Sequence, residues 1–202
     1  MSPGQAGLLA VGFLCGSLPT AYLFARVLAG TDIRKHGSGN VGATNAGRVL
    51  GWWAGLLVFL LDLLKGVLAA LIPRALPGAQ IPDAGIACGS AAVLGHNFPC
   101  FLQFRGGKGV ATTLGALLGS APACSGVVMA AWLVVFLASR YVSMASLAAA
   151  VTIPISQLAF RQSLDAVLLG SCLALLIIIR HRSNIQRLLS GAEHRTGSPP
   201  TD

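Results

Sequence analysis

The sequence predicts an all-α, polytopic integral membrane protein with about seven transmembrane helices. Three observations predict it. First, 54% of the 202 residues are hydrophobic and only 10% are charged, whereas a soluble domain carries about 25% charged residues. Mean hydropathy is +0.75. Second, the apolar residues fall in long runs that approach the roughly 17–25 residues a spanning helix needs. Third, the basic residues gather at alternate ends of those runs, as the positive-inside bias requires.

The elements follow in order. Residues 4–27 carry a single charge, Arg26, and no basic leader precedes them, so they read as a first spanning helix rather than a signal peptide. A kink is expected at Pro19, which removes a backbone donor. The second helix runs over 52–72, and Pro73, Pro77, Gly78 and Pro82 mark a loop. The third covers 83–97. The fourth, 109–120, is about half the length of a full span. It is separated from the fifth, 122–139, because Pro122 is placed to start a new helix. The sixth covers 142–160 and the seventh 163–179. Residues 1–195 form a single membrane-embedded domain, and 196–202 read as a disordered tail. No internal repeat is visible.

With the N-terminus outside and seven crossings, the C-terminus is cytoplasmic. The inside then holds Arg26, Arg34, Lys35, Arg48, Arg105, Lys108, Arg140, Arg180, Arg182, Arg187 and Arg195, and the outside holds Arg74 and Arg161. Merging the fourth and fifth helices would export Arg140 and the basic tail, against the bias. The net charge of +8 therefore reflects membrane topology rather than nucleic-acid binding. Cys15, Cys88, Cys100, Cys124 and Cys172 mostly lie in apolar runs without metal-ligand spacing, so neither zinc nor a disulfide framework is expected. The same topology places four polar clusters on the cytoplasmic face, where they can form one site.

The densest cluster is residues 95–112, GHNFPCFLQFRGGKGVAT. Glycines let backbone approach an anion closely, and Lys108 adds a point charge. It is not a Walker loop: Leu102 stands at the first glycine position and Gly109 follows the lysine. What remains is a phosphate cradle of Gly106, Gly107, Lys108, Gly109 and the positive N-terminal end of a helix bearing Thr112 and Thr113. His96 is either a ligand or base, or an interfacial hydrogen-bonder beside Pro99.

A second cluster, residues 32–48, contains Gly37, Gly39 and Gly42 in a literal GxGxxG. A membrane helix precedes it, not the strand of a βαβ unit, so dinucleotide binding is rejected. Ser38, Asn40, Thr44 and Asn45 offer hydrogen bonds, and Arg48 offers a bidentate fork for phosphate. Turn glycines in a solvated loop are the bland alternative. A third cluster, RYVSMAS from Arg140, sets Ser143 and Ser146 on one helix face. Such serines often only bond their own helix. The fourth is the basic tail 180–195. It reads as an amphipathic helix on anionic lipid, or as a site in which His181, suited to proton transfer, shares a face with Asn184. Glu193, the only glutamate, is a base or a brace for nearby arginines. Asp62 and Lys65, at i and i+3 inside the second helix, are functional or a self-neutralising pair.

Taken together, GSGNVGATNAGR at 37–48, the 95–112 segment and HRSNIQRLLSGAE at 181–193 closely resemble the bacterial acyl-phosphate:glycerol-3-phosphate acyltransferases, PlsY, over about residues 5–195. The chain departs from the usual family pattern at Ala46, Gly47 and Arg105, and none of these changes removes a charge. The resemblance implies a bacterial inner-membrane, multi-pass enzyme with its active site facing the cytoplasm. Its reaction is attack of the 1-hydroxyl of glycerol 3-phosphate on an acyl phosphate, giving 1-acylglycerol 3-phosphate (lysophosphatidic acid) and phosphate, the first step of phospholipid synthesis. Partners are the two substrates and membrane lipids, with no nucleic acid, and the protein is expected to be a monomer. No metal or cofactor is implied.

The resemblance also implies roles. Ser38, Arg48, Lys108, His181 and Asn184 are expected to be catalytic. Asn40, Thr44, Asn45, His96, Gly106, Gly107, Gly109, Thr112, Ser143 and Ser146 are expected to bind substrate, and Glu193 to be structural. Two cations facing two phosphates suit the chemistry, because Arg48 and Lys108 stabilise developing negative charge. The base is His181 or the substrate's own phosphate. An anion transporter would show repeats and midplane breaks, and a lipid-binding scaffold would not need four Gly/Asn/Ser/His-rich clusters.

Overall fold

The computed structural model describes residues 3–75 and 83–197, and every regular element among them is helical. The expected loop over 73–82 is only partly within that range: a 3-10 turn, Ile72–Ala75, begins it, and 76–82 lie outside the described residues. The chain divides into two compact units, residues 1–122 and 123–202.

The first unit opens with α1 (Pro3–Ser17) and α2 (Thr20–Ala29). They are broken at Leu18-Pro19, where the kink was expected. α2 ends at Gly30, whose φ of 61° closes the helix with its N–H on the Ala25 and Arg26 carbonyls. A 3-10 turn (Ile33–Lys35) and α3 (Ala43–Leu50) follow, then α4 (Trp52–Leu71), α5 (Ala84–Asn97), a second 3-10 turn (Cys100–Leu102) and α6 (Val110–Ser120). α3 is an addition to the sequence reading, which saw only a loop there.

Small residues decide how these helices pack. α4 lies against α6 because Gly66, Gly115 and Gly119 present no side chain: a Cβ on Gly66 would run into the Thr112 carbonyl, and one on Gly115 into the Leu63 carbonyl. α1 meets α5 in the same way, with Gly16 against the backbone of Ala92. Close backbone approach through glycine is the usual basis of helix association in lipid, where apolar side chains gain little by pairing. The opposite faces are large and apolar: Leu56, Leu57, Leu60, Leu61, Leu64 and Leu68 of α4 are exposed, while Val58, Asp62, Lys65 and Gly66 are buried.

The second unit holds α7 (Pro122–Ser139), α8 (Val142–Ala159), α9 (Leu164–Arg180) and α10 (Arg182–Leu189). Arg140 (φ 63°) and Arg161 (φ 51°) turn the chain between them. α8 continues through Pro154, as membrane helices tolerate. Ser163 caps α9 by accepting from the Ala166 N–H at 3.1 Å. α9 and α10 are bent by 56° at His181.

Five helical stretches among the described residues are long and apolar enough to cross a membrane, and α9 with α10 makes a sixth if the bent pair is one span. α6, counted as a crossing from the sequence, has 11 residues, or about 16 Å at 1.5 Å per residue, half a bilayer core. At the end of the described residues the Thr196 N–H donates to the Arg140 carbonyl at 2.9 Å.

Candidate active site

In the first unit the glycine-rich loop of residues 32–48 is held from within. Asp32 starts it by accepting from the backbone N–H of Arg34 at 3.0 Å and pairing with the guanidinium at 2.7 Å. The hydrogen bonds from the Arg34 guanidinium hold the Asp32 carboxyl down at about 2. Asn45, on α3 and 1% exposed, is the centre of the loop. Its Oδ1 accepts from Ser38 N–H at 2.9 Å, and its Nδ2 donates toward the carbonyls of Asn40, His36 and Ile33 at 3.0, 3.1 and 3.3 Å. Asn45 was expected to bind substrate. Both its polar atoms are committed to the loop instead, so it shapes the segment that presents Ser38. Ser38, Thr44 and Arg48 are exposed and Asn40 is half-buried. α3 reaches its position because Gly47 packs directly on Gly55 of α4.

The segment 95–112 folds back on the end of α5. Gly106 N–H donates to the Asn97 carbonyl at 3.2 Å and Gly107 N–H to the His96 carbonyl at 3.1 Å. These two amides, read from the sequence as part of a phosphate cradle, here close the loop on the end of α5. Gly107 is needed for a different reason, because a Cβ there would strike the His96 ring and sit 2.9 Å from the Val41 carbonyl. Gly109, at φ 82°, is the residue before α6. Thr113 N–H makes the first bond of that helix, to the Gly109 carbonyl at 2.8 Å. The N–H groups of Val110, Ala111 and Thr112 therefore remain as its N-terminal donors, next to Lys108. Thr112 is fully buried, with a hydroxyl that finds no partner among the described residues.

The two clusters meet at Gly107 and Val41. A small cavity lies alongside, with room for about one water molecule. Leu18, Thr20, Val41, Lys65, His96 and Gly106 are among its lining residues. His96, 8% exposed, is thus internal. Lys65, Asp62 and Thr20 beside it were not chosen as site residues from the sequence, although the placement of two ions inside a spanning helix was the available signal.

In the second unit, residues of the third and fourth clusters come together around Glu193, which is 9% exposed. Its Oε1 accepts from Ser143 Oγ at 2.8 Å and Asn184 Nδ2 at 2.7 Å, and its Oε2 accepts from Arg187 Nε at 2.7 Å. Burial pushes the carboxyl up, but the hydrogen bonds from Asn184, Ser143 and Arg187 outweigh it and hold the group below its ordinary value. The two serines separate cleanly. Ser146 donates to its own helix at Val142 (2.8 Å) and accepts from Trp132 Nε1 (3.3 Å), away from Glu193. His181, 3% exposed, sits at the α9–α10 bend with Nδ1 2.8 Å from the Ile177 carbonyl. A carbonyl only accepts, so Nδ1 carries the proton and a neutral His181 bears its lone pair on Nε2.

Comparison with known proteins identifies the family. A glycerol-3-phosphate acyltransferase 2 of Moorella thermoacetica is 48% identical, covering 94% of this chain and 96% of its own. A glycerol-3-phosphate acyltransferase of Chlorobium limicola is 42% identical, covering 93% and 94%. The crystal structure of PlsY, an integral membrane glycerol 3-phosphate acyltransferase, in its glycerol 3-phosphate form matches with a TM-score of 0.89 at 39% identity, covering 96% of each chain. Its lysophosphatidic acid form matches at 0.85 and 38%. The family model for glycerol-3-phosphate acyltransferases matches residues 6–191, and this chain belongs to that family.

Proposed function

We propose that the protein is an acyltransferase that moves a fatty acyl group from acyl phosphate to the 1-hydroxyl of glycerol 3-phosphate. The products are lysophosphatidic acid and inorganic phosphate. The observation that carries the reading is the Lys108–Gly109 start of α6, with the 32–48 loop packed beside it at Val41, in a chain whose relatives are named glycerol-3-phosphate acyltransferases. Lys108 and the N-terminal donors of α6 hold the substrate phosphate, and Arg48 is the second cation. The hydroxyl oxygen attacks the acyl carbon, the bond from that carbon to the phosphate oxygen breaks, and phosphate departs as an anion that cations stabilise. The hydroxyl proton passes to the substrate phosphate or to His181 Nε2. Ser38, Arg48, Lys108, His181 and Asn184 are the proposed catalytic group. Asn40, Thr44 and Ser143 are proposed to contact or line the substrates. Gly106, Gly107, His96 and Asn45 shape the seat.

The proposed setting is the bacterial inner membrane, as a monomer. α6 is the fourth and shortest of seven crossings, the N-terminus is outside, and the site faces the cytoplasm. The basic-residue asymmetry supports this orientation. The test is kinetic. Lys108→Ala should raise KM for glycerol 3-phosphate at least about tenfold. Ser38→Ala and Arg48→Ala should nearly abolish turnover in protein that still inserts. Wild-type kinetics in all three would refute the assignment. If His181 is the base, His181→Gln loses about 100-fold or more in kcat. A much smaller loss assigns the proton to the phosphate.

A further inference from the structure

Below the glycine loop lies a buried polar network that the proposed chemistry does not use. Asp62, 1% exposed on α4, is its centre. Its Oδ1 accepts from Thr20 Oγ1 at 2.6 Å, pairs with Lys65 Nζ at 2.8 Å and stands 3.6 Å from His96 Nδ1. Lys65 Nζ also donates at 3.1 Å to the carbonyl of Leu18, in the break between α1 and α2. The network therefore joins the α1–α2 break, α4 and the end of α5.

Neutralisation alone does not account for this placement. Asp62 and Lys65 could pair on α4 without Thr20, Leu18 or His96. His96 makes the link to the loop. Its Nδ1 faces Asp62, while its Nε2 lies where a Gly107 Cβ would be, and its own carbonyl holds the Gly107 N–H. One histidine thus touches the carboxylate with one edge and the loop with the other edge and its backbone. Gly106 and Lys65 border the same cavity.

We infer that Asp62, supported by Thr20 and Lys65, is a positioning residue that fixes the His96 ring and through it the glycine loop ahead of Lys108. This rests on the reading of that loop as the glycerol 3-phosphate seat. A displaced loop weakens phosphate binding without altering how acyl phosphate binds. Misplacement by about 1 Å at a site can cost up to about 100-fold.

The experiment uses full-length protein in detergent or nanodiscs, scored for folded fraction, with KM and kcat for both substrates. Asp62→Asn should raise KM for glycerol 3-phosphate by about 10- to 100-fold and leave KM for acyl phosphate unchanged, with kcat within about threefold. Thr20→Val should move the same KM in the same direction by less. The effect of Asp62→Asn should largely vanish in a His96→Gln background, because the ring it acts through is gone. If Asp62→Asn does not fold, the neutral pair Asp62→Asn with Lys65→Met replaces it and must show the same KM split. Equal KM values in folded variant and wild type, or additive effects of Asp62→Asn and His96→Gln, overturn the inference. So does a failure of all these variants to fold, which would make the network an element of stability alone. Lys108→Ala run in parallel separates the two readings. If it leaves KM for glycerol 3-phosphate unchanged, the seat itself is wrong. If it raises KM and Asp62→Asn does not, only the positioning role falls.

Discussion

Glu193→Gln removes one charge and changes almost no volume, so it isolates the carboxylate's part in the second unit. The glutamine keeps one carbonyl oxygen. That oxygen is best placed at the Oε1 position, where it still accepts from Ser143 and Asn184. Its NH2 must then face Arg187 Nε, 2.7 Å from the present Oε2, so a donor meets a donor. The loss is one charge-assisted hydrogen bond, worth about 1.5–3 kcal/mol. The Arg187 side chain is 39% exposed, so water takes up part of the loss and the lower half of that range applies. For a chain of this size each kcal/mol moves Tm by roughly 2–4 °C, giving a decrease of roughly 3–9 °C. The assay is thermal unfolding of purified protein at neutral pH, repeated in acid. The native carboxyl lies below its ordinary value, so its contribution is complete above the ordinary glutamate range and is lost as pH falls through the lowered native value. The gap between wild type and Glu193→Gln should therefore close in acid. An unchanged Tm at neutral pH, or a gap that persists unchanged to the lowest pH at which both fold, would refute the bracing role.

Three further outcomes are expected. Gly107→Ala should remain folded but raise KM for glycerol 3-phosphate about tenfold or more, since the added methyl displaces the His96 ring; steady-state kinetics check it. Asn45→Ala removes the four loop bonds and should cost about 2–4 kcal/mol, with near-complete loss of turnover because Ser38 is no longer presented; unfolding and activity are measured on the same sample. Asp32→Asn should lower stability at neutral pH but not at the acid limit. The Asp32 carboxyl titrates at about 2 instead of 3.8, so its contribution is present above pH 3.8 and disappears as pH falls to about 2.

The helices were legible because a membrane span writes itself as a run of apolar residues, and Pro19, Pro122 and Arg140 punctuate those runs. α3 was not legible. Its glycines, Gly42 and Gly47, look like turn residues in sequence, but Gly47 is small in order to pack on Gly55. The site was readable as residue types and not as bonds. Nothing in GGKG says that the first two amides are spent on the Asn97 and His96 carbonyls, because that depends on where α5 ends in space. Likewise Ser143 and Ser146 look equivalent on a helix face until Glu193, 50 residues away in the chain from Ser143, bonds one of them. Asp62 and Lys65 showed as an internal pair, but their partners Thr20, Leu18 and His96 come from α2, the α1–α2 break and α5.

The measurement closest to the central claim supplies purified protein with glycerol 3-phosphate and palmitoyl phosphate, and follows lysophosphatidic acid and inorganic phosphate together, with palmitoyl-CoA as the alternative donor. The account predicts equal amounts of the two products from palmitoyl phosphate and none from palmitoyl-CoA. Lysophosphatidic acid formed only from palmitoyl-CoA, or phosphate released without acylation of glycerol 3-phosphate, would contradict it.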